Sequence, residues 1–103
     1  MKMEFIFDEN KLKKSGYTEE QCLNVIRKHF NSYKSNTIVE TEKGVFEGQE
    51  EDWNAFGETA KFPYTSWFLK VVDHWYIIYF GDTPDSPEYR EGALKIYYEV
   101  EAI

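Results

Sequence analysis

Few side chains in this sequence could do chemistry. Cysteine and histidine number three residues in all, Cys22, His29 and His74. A thiolate forms near neutral pH only beside a base, so Cys22 as nucleophile would need one of the two imidazoles within reach. Cys22 and His29 fall together on the apolar stripe of an amphipathic helix, where cysteine behaves as a small buried hydrophobe. A metal ion would need three or four converging ligands, and only these two share a helical face. Asp73 could orient His74, but neighbours along a strand point to opposite faces. The acids Asp82, Asp85, Glu88 and Glu91 lack the alternating ligands and the glycine of a calcium loop, and favourable charge at a helix start accounts for most of them. There is no glycine-rich phosphate loop, Cys-x-x-Cys pair, His-Glu-x-x-His or Gly-x-Ser-x-Gly. The expectation is therefore a non-enzymatic protein with no catalytic residue, no metal ligand and no cofactor; a small Cys/His enzyme ranks third among the readings.

The elements that position these residues can be read from spacing. Lys2 to Phe7 alternates, with Met3, Phe5 and Phe7 on one side, the period of a half-buried strand. Asp8 is placed to cap a short helix over Glu9 to Lys14 that stops at Gly16. Thr18 opens the next helix, with Gln21 completing a capping box. From about residue 19 to 33, Cys22, Val25, Ile26, His29, Phe30 and Tyr33 form its apolar stripe, and Arg27, Lys28 and Lys34 suit the negative helix end. Thr37 to Glu42 and Val45 to Glu47 predict a hairpin around Glu42-Lys43-Gly44. A helix follows to about Lys61, with Trp53, Phe56 and Ala60 on one side, and Phe62-Pro63 should end it.

The most apolar stretch runs from Trp67 to Phe80. Trp67, Phe68, Val71 and Val72 fit two helical turns capped by Thr65 or Ser66. From His74 to Phe80 the aromatic and β-branched run favours a buried strand, with a continuing helix as the alternative. Gly81 to Ser86 predicts a loop, and Ser86-Pro87-Glu88 starts a C-terminal helix over about 87–99 with a stripe of Tyr89, Ala93, Ile96, Tyr97 and Val100. The fold expected is α+β, one globular domain over 1–103: a small, mainly antiparallel sheet packed by the amphipathic helix and the C-terminal helix.

Function has to be sought in composition. The chain of 103 residues carries a net charge of −7, unevenly spread: residues 1–34 hold seven basic and five acidic side chains, residues 35–103 five and fourteen. Such a surface repels phosphate backbones, so direct nucleic-acid binding is disfavoured. Runs without a charged residue reach only eight, too short to span a membrane. The single cysteine fits a reducing compartment, and Glu4 stands where a signal peptide would be apolar, so a cytoplasmic protein is expected. Aromatic residues make up 18%, more than one small core needs.

Trp and Tyr concentrate at interfaces. The best reading is thus a small acidic interaction module whose protein partner is basic, binding through Trp53, Trp67, Trp75, Tyr76, Tyr79 and Tyr98 beside Glu50, Glu51 and Asp52. Self-association through the same face is compatible with it. The alternative is an acidic mimic of nucleic acid built on Glu40, Glu42, Glu47, Glu50, Glu51 and Asp52, which would occupy the cationic groove of a nucleic-acid enzyme.

Overall fold

The computed structural model describes residues 1–33, 37–79 and 89–101, apart from the side chain of Glu50. The expected loop over Gly81 to Ser86 with Asp82 and Asp85, the helix start at Ser86 and Pro87, and Lys34, Phe80 and Glu88 lie outside these residues.

Strand β1 (Lys2–Phe7) buries Met3, Phe5 and Phe7, as its alternation requires. The two short connections that follow are set by side-chain caps. In α1 (Glu9–Ser15) Asp8 accepts from the Lys11 N–H at 2.9 Å, and Gly16 stops the helix at φ 75°. In α2 (Glu19–Asn31) both bonds of the capping box form, Gln21 N–H to Thr18 Oγ1 at 3.1 Å and Thr18 N–H to Gln21 Oε1 at 2.9 Å. Its buried residues are Cys22, Leu23, Ile26, His29 and Phe30. Val25, expected on the stripe, is exposed, and Leu23 takes its place.

The hairpin forms as β2 (Val39–Glu42) and β3 (Val45–Glu47), with Gly44 at φ 80°. Arg27 clips α2 to it. Its guanidinium donates to both oxygens of Glu40, at 2.7 and 3.0 Å, and to Glu20 at 2.8 Å. Glu40 also accepts from the Gly44 N–H at 3.1 Å, and the Arg27 bond holds its carboxyl below the usual range.

Beyond the hairpin the expected single helix is three pieces: a 3-10 turn (Glu50–Asp52), α3 (Trp53–Gly57) and a 3-10 helix (Glu58–Tyr64). The chain does not stop at Phe62-Pro63 but carries Pro63 inside the 3-10 helix. The tighter winding changes which side chains turn inward: Ala55, Phe56, Thr59, Phe62 and Pro63 are buried, while Trp53 and Ala60 are exposed. A single turn, α4 (Phe68–Val71), follows in place of the expected two, entered from Trp67 without a side-chain cap. The ambiguity after it resolves as strand β4 (Val72–Tyr79).

The C-terminal helix begins later than its stripe suggests. Tyr89–Gly92 is a fifth strand, β5, paired antiparallel to Tyr76–Tyr79, and α5 spans Ala93–Glu101. The free edge of β4 supplies backbone partners that outweigh the helical spacing of Tyr89 and Ala93. All strands pair antiparallel in the order β2-β3-β1-β4-β5, an α+β fold. One hydrophobic cluster joins Met3, Phe5, Phe7, Phe46 and Trp75 to the buried sides of the helices. On the opposite face of the sheet, Ile6 pairs with His74 and Glu4 with Tyr76. Among the described residues no helix is long and apolar enough to cross a membrane.

Candidate functional site

The residues that could do chemistry are kept apart. Cys22 is buried, and burial, with Glu19 adding to it, pushes its thiol up. His29 is buried among Phe30, Tyr33 and Phe62, with Nε2 2.8 Å from the Ala55 carbonyl oxygen, to which the neutral ring donates. His74 lies half exposed on the other face of the sheet, stacked on Tyr76 at 5.4 Å. Among the described residues no group of three His, Cys, Asp or Glu side chains could hold a metal ion.

His29 makes stability depend on pH. Burial, assisted by Lys61 and opposed by the Ala55 bond and Glu58, lowers its pKa below the ordinary 6.5. The unfolded chain therefore takes up the proton first as pH falls, and stability declines below 6.5 toward the folded pKa. Urea unfolding at about pH 7.5 and about pH 5.5 should show the loss, and His29→Gln should flatten it. An unchanged slope in that variant would remove His29 as the cause.

The expected interaction residues are also dispersed. Trp75, expected at a surface, is core: it stacks on Phe5 at 5.8 Å and meets Phe68 edge-on at 5.3 Å. The hydrophobic cluster that β4 must cover leaves that ring no route outward. Trp67 is half buried against Phe7, Phe62 and Phe68. Asp52 is buried too, accepting from the Gln49 N–H at 2.8 Å and the Thr37 hydroxyl at 2.6 Å, so it ties the 3-10 turn together and offers no surface charge. Trp53 and Glu51 are exposed beside it. Tyr76 lies on the outer face of the sheet under Arg90, whose guanidinium is 4.7 Å from its ring centre, and Tyr79 stacks on Tyr89 at the end of β4. Three of the six acids proposed to imitate phosphates, Glu40, Glu51 and Asp52, are engaged in internal bonds, Glu51 accepting from the Thr37 hydroxyl at 3.3 Å.

What the fold does assemble is an apolar cleft of about 260 Å³ beneath α5. Met3, Trp75 and Ile77 of the sheet form its floor; Phe56, Thr59 and Pro63 form one wall, and Ala93, Ile96 and Val100 the other. Tyrosines rim it. Tyr64 and Tyr97 meet edge-on at 5.5 Å, Tyr97 and Tyr98 at 5.1 Å, and the Tyr64 hydroxyl donates to the Glu101 carboxylate. Ala93 is the one described residue of α5 that is buried; Val100 is 58% exposed, Tyr98 57% and Tyr64 66%.

The last turn of α5 carries Glu99 and Glu101 and no cation of its own, with Lys95 one turn earlier 4.0 Å from Glu99. Acids at the negative end of a helix dipole leave an unfavourable potential that a cation from elsewhere would relieve. Spacing predicts Ile96, Tyr97 and Val100 as an apolar stripe, and these three line the cleft; Tyr98, expected at an interface by residue type, packs on Tyr97 outside the lining. Tyr64 went unnoticed, since an isolated tyrosine after Pro63 carries no periodic signal. Compared with known proteins, the chain matches no family model, no curated protein and no solved structure.

Proposed function

We propose that this protein is a non-enzymatic, cytoplasmic interaction module that binds a basic, amphipathic segment of a partner protein in the cleft beneath α5. One observation carries the reading: beyond the buried Ala93, the apolar stripe of α5 stays open over a cleft whose walls are almost wholly apolar. Exposed apolar patches rimmed by polar groups mark interaction sites, and a pocket that takes one large side chain is the usual anchor of such an interface. The segment's apolar face would cover Ile96, Val100 and the tyrosines, in the manner of a helix laid into a groove. Its basic character follows from the acids that end α5 and from the net charge of −7, which speeds encounter with a cation-rich partner.

Selection from a library of random displayed peptides tests this directly. Wild type should enrich sequences in which Lys or Arg alternate with large apolar residues at helical spacing. Val100→Asp, at an exposed position and so folded, should lose at least about tenfold in affinity for them. Amide NMR shifts on peptide addition should concentrate in α5, Tyr64 and the Glu58–Tyr64 helix. Failure to enrich any such peptide, or binding indifferent to Val100→Asp, would overturn the proposal.

A further inference from the structure

Three exposed lysines, Lys14, Lys28 and Lys70, make no ion pair among the described residues. The other described lysines without an acid nearby are engaged, Lys11 with the Val72 carbonyl and Lys61 with the Phe62 ring. Each of the three stands three residues from a residue lining one groove of about 250 Å³, formed by Tyr17, Gln21, Cys22, Val25 and Trp67. Lys28 is one helical turn past Val25, Lys70 one turn past Trp67 with its N–H on the Trp67 carbonyl at 3.2 Å, and Lys14 precedes Tyr17. The walls are apolar apart from Gln21. That side chain gives its Oε1 to the Thr18 N–H, so its amide nitrogen remains able to donate. The groove shares no residue with the cleft beneath α5.

An apolar slot with one amide donor and unpaired cations beside it suits an aromatic ring that ends in a hydroxyl and is followed by acids. A dry cavity of about 150 Å³ holds benzene, so about 250 Å³ takes the ring of a tyrosine. Tyr98 of α5 meets the description: it is exposed, lies outside the cleft and is followed by Glu99 and Glu101, with Lys95 offsetting one of these acids and leaving the other. The other exposed tyrosines outside the groove do not, since Tyr64 donates to Glu101, while Tyr89 stacks on Tyr79 and precedes Arg90. We propose that the groove of one copy of this chain receives Tyr98 of a second copy, with Glu99 and Glu101 set against the lysines. Groove and ring are different patches, so the contact runs head to tail, and every copy offers one of each. Two chains of net charge −7 repel at long range. Physiological salt screens that repulsion beyond about 8 Å, which leaves the local match to decide. The proposal does not depend on the cleft's taking a partner segment.

Two variants, each blocked at one surface, test the match. Val25→Asp spoils the groove at an exposed position, and Tyr98→Ala removes the ring. Lys28→Glu with Lys70→Glu blocks the groove by charge alone and replaces Val25→Asp if circular dichroism shows that variant unfolded. A contact made by one anchor and its neighbours falls below about 1,200 Å² and is transient, so sedimentation velocity is followed from about 10 µM to about 1 mM. The average mass of wild type should climb above that of the monomer, and each variant alone should associate at least about tenfold more weakly. Mixed one to one, the groove variant and Tyr98→Ala should form dimers and stop there, because the intact Tyr98 of the first can enter only the intact groove of the second. A wild type that stays monomeric, a variant that associates as wild type does, or a mixture that remains monomeric or grows past the dimer would overturn the proposal.

Discussion

Phe68→Ala is expected to lower the free energy of unfolding by about 3–5 kcal/mol, the cost of emptying a fully buried aromatic site. Phe68 is 0% exposed. It stacks on Phe62 at 5.6 Å and meets Phe5, Phe7, Trp67 and Trp75 at 5.3 to 6.5 Å, so one side chain joins β1, β4, α4 and the 3-10 helix. Removing it leaves a cavity that four different elements would have to move to fill. A domain of this size has about 5–15 kcal/mol in all, and each kilocalorie is worth about 4–8 °C in a small domain. The melting temperature should therefore fall by some 12–40 °C in a thermal scan followed by circular dichroism, if the variant folds at all. Tyr98→Ala, on the exposed side of α5, should stay within about 0.5 kcal/mol of wild type. A Phe68→Ala loss below about 1 kcal/mol would mean that the ring cluster does not hold the elements together.

Gly44→Ala should be the most damaging of the small substitutions, and a comparison with Gly16→Ala shows why. Both glycines have left-handed backbone, φ 80° and φ 75°, so each alanine pays about 1–2 kcal/mol for its conformation. At Gly16 the new Cβ meets nothing within 4 Å, and that is the whole cost. At Gly44 it would lie 2.6 Å from the carbonyl oxygen of Phe5, a backbone atom of the central strand. The clash cannot be relieved by turning a side chain. It would push the hairpin away from β1 and strain the Phe5 N–H to Gly44 carbonyl bond, now 2.9 Å. We expect Gly44→Ala to cost at least about 2 kcal/mol more than Gly16→Ala in urea unfolding, within the usual range for overpacked sites. Equal losses would show that the turn yields.

Where spacing and caps were decisive, the relevant forces act within a few residues. The alternation of Met3, Phe5 and Phe7 is a strand because each second residue must face the same core. The Thr18 and Gln21 box forms because its two bonds close over a single turn. Where expectation and structure part, the deciding partner is distant. Tyr89 to Gly92 has helical spacing but pairs with β4. The helix expected across Phe56 and Ala60 tightens after Gly57 to fit the core with other residues inward. The site suffers most from this. Trp75 is a good interface residue by type and is drawn into the core by Phe5 and Phe68. The cleft is the space between α5, the 3-10 helix and the sheet, and no local pattern encodes how far apart three elements stand. A stripe such as Ala93, Ile96, Tyr97 and Val100 announces that a face is apolar without saying whether the fold covers it.

The order of the strands bears on how the protein is made. β1 leaves the ribosome before the other described strands, yet it is the middle of the sheet, and β4 on one of its sides follows about seventy residues later. At translation rates of about 5–20 residues per second, that partner arrives some 4–15 seconds after β1 does. In the interval α1 and α2 can wind on their own caps, and the β3 edge can arrive, but half of the β1 backbone and the rings of Phe5 and Phe7 await β4. The nascent chain thus leaves β1 half unpaired until β4 arrives, which makes β1 a place where a chaperone would bind and where crowded overexpression would start to aggregate.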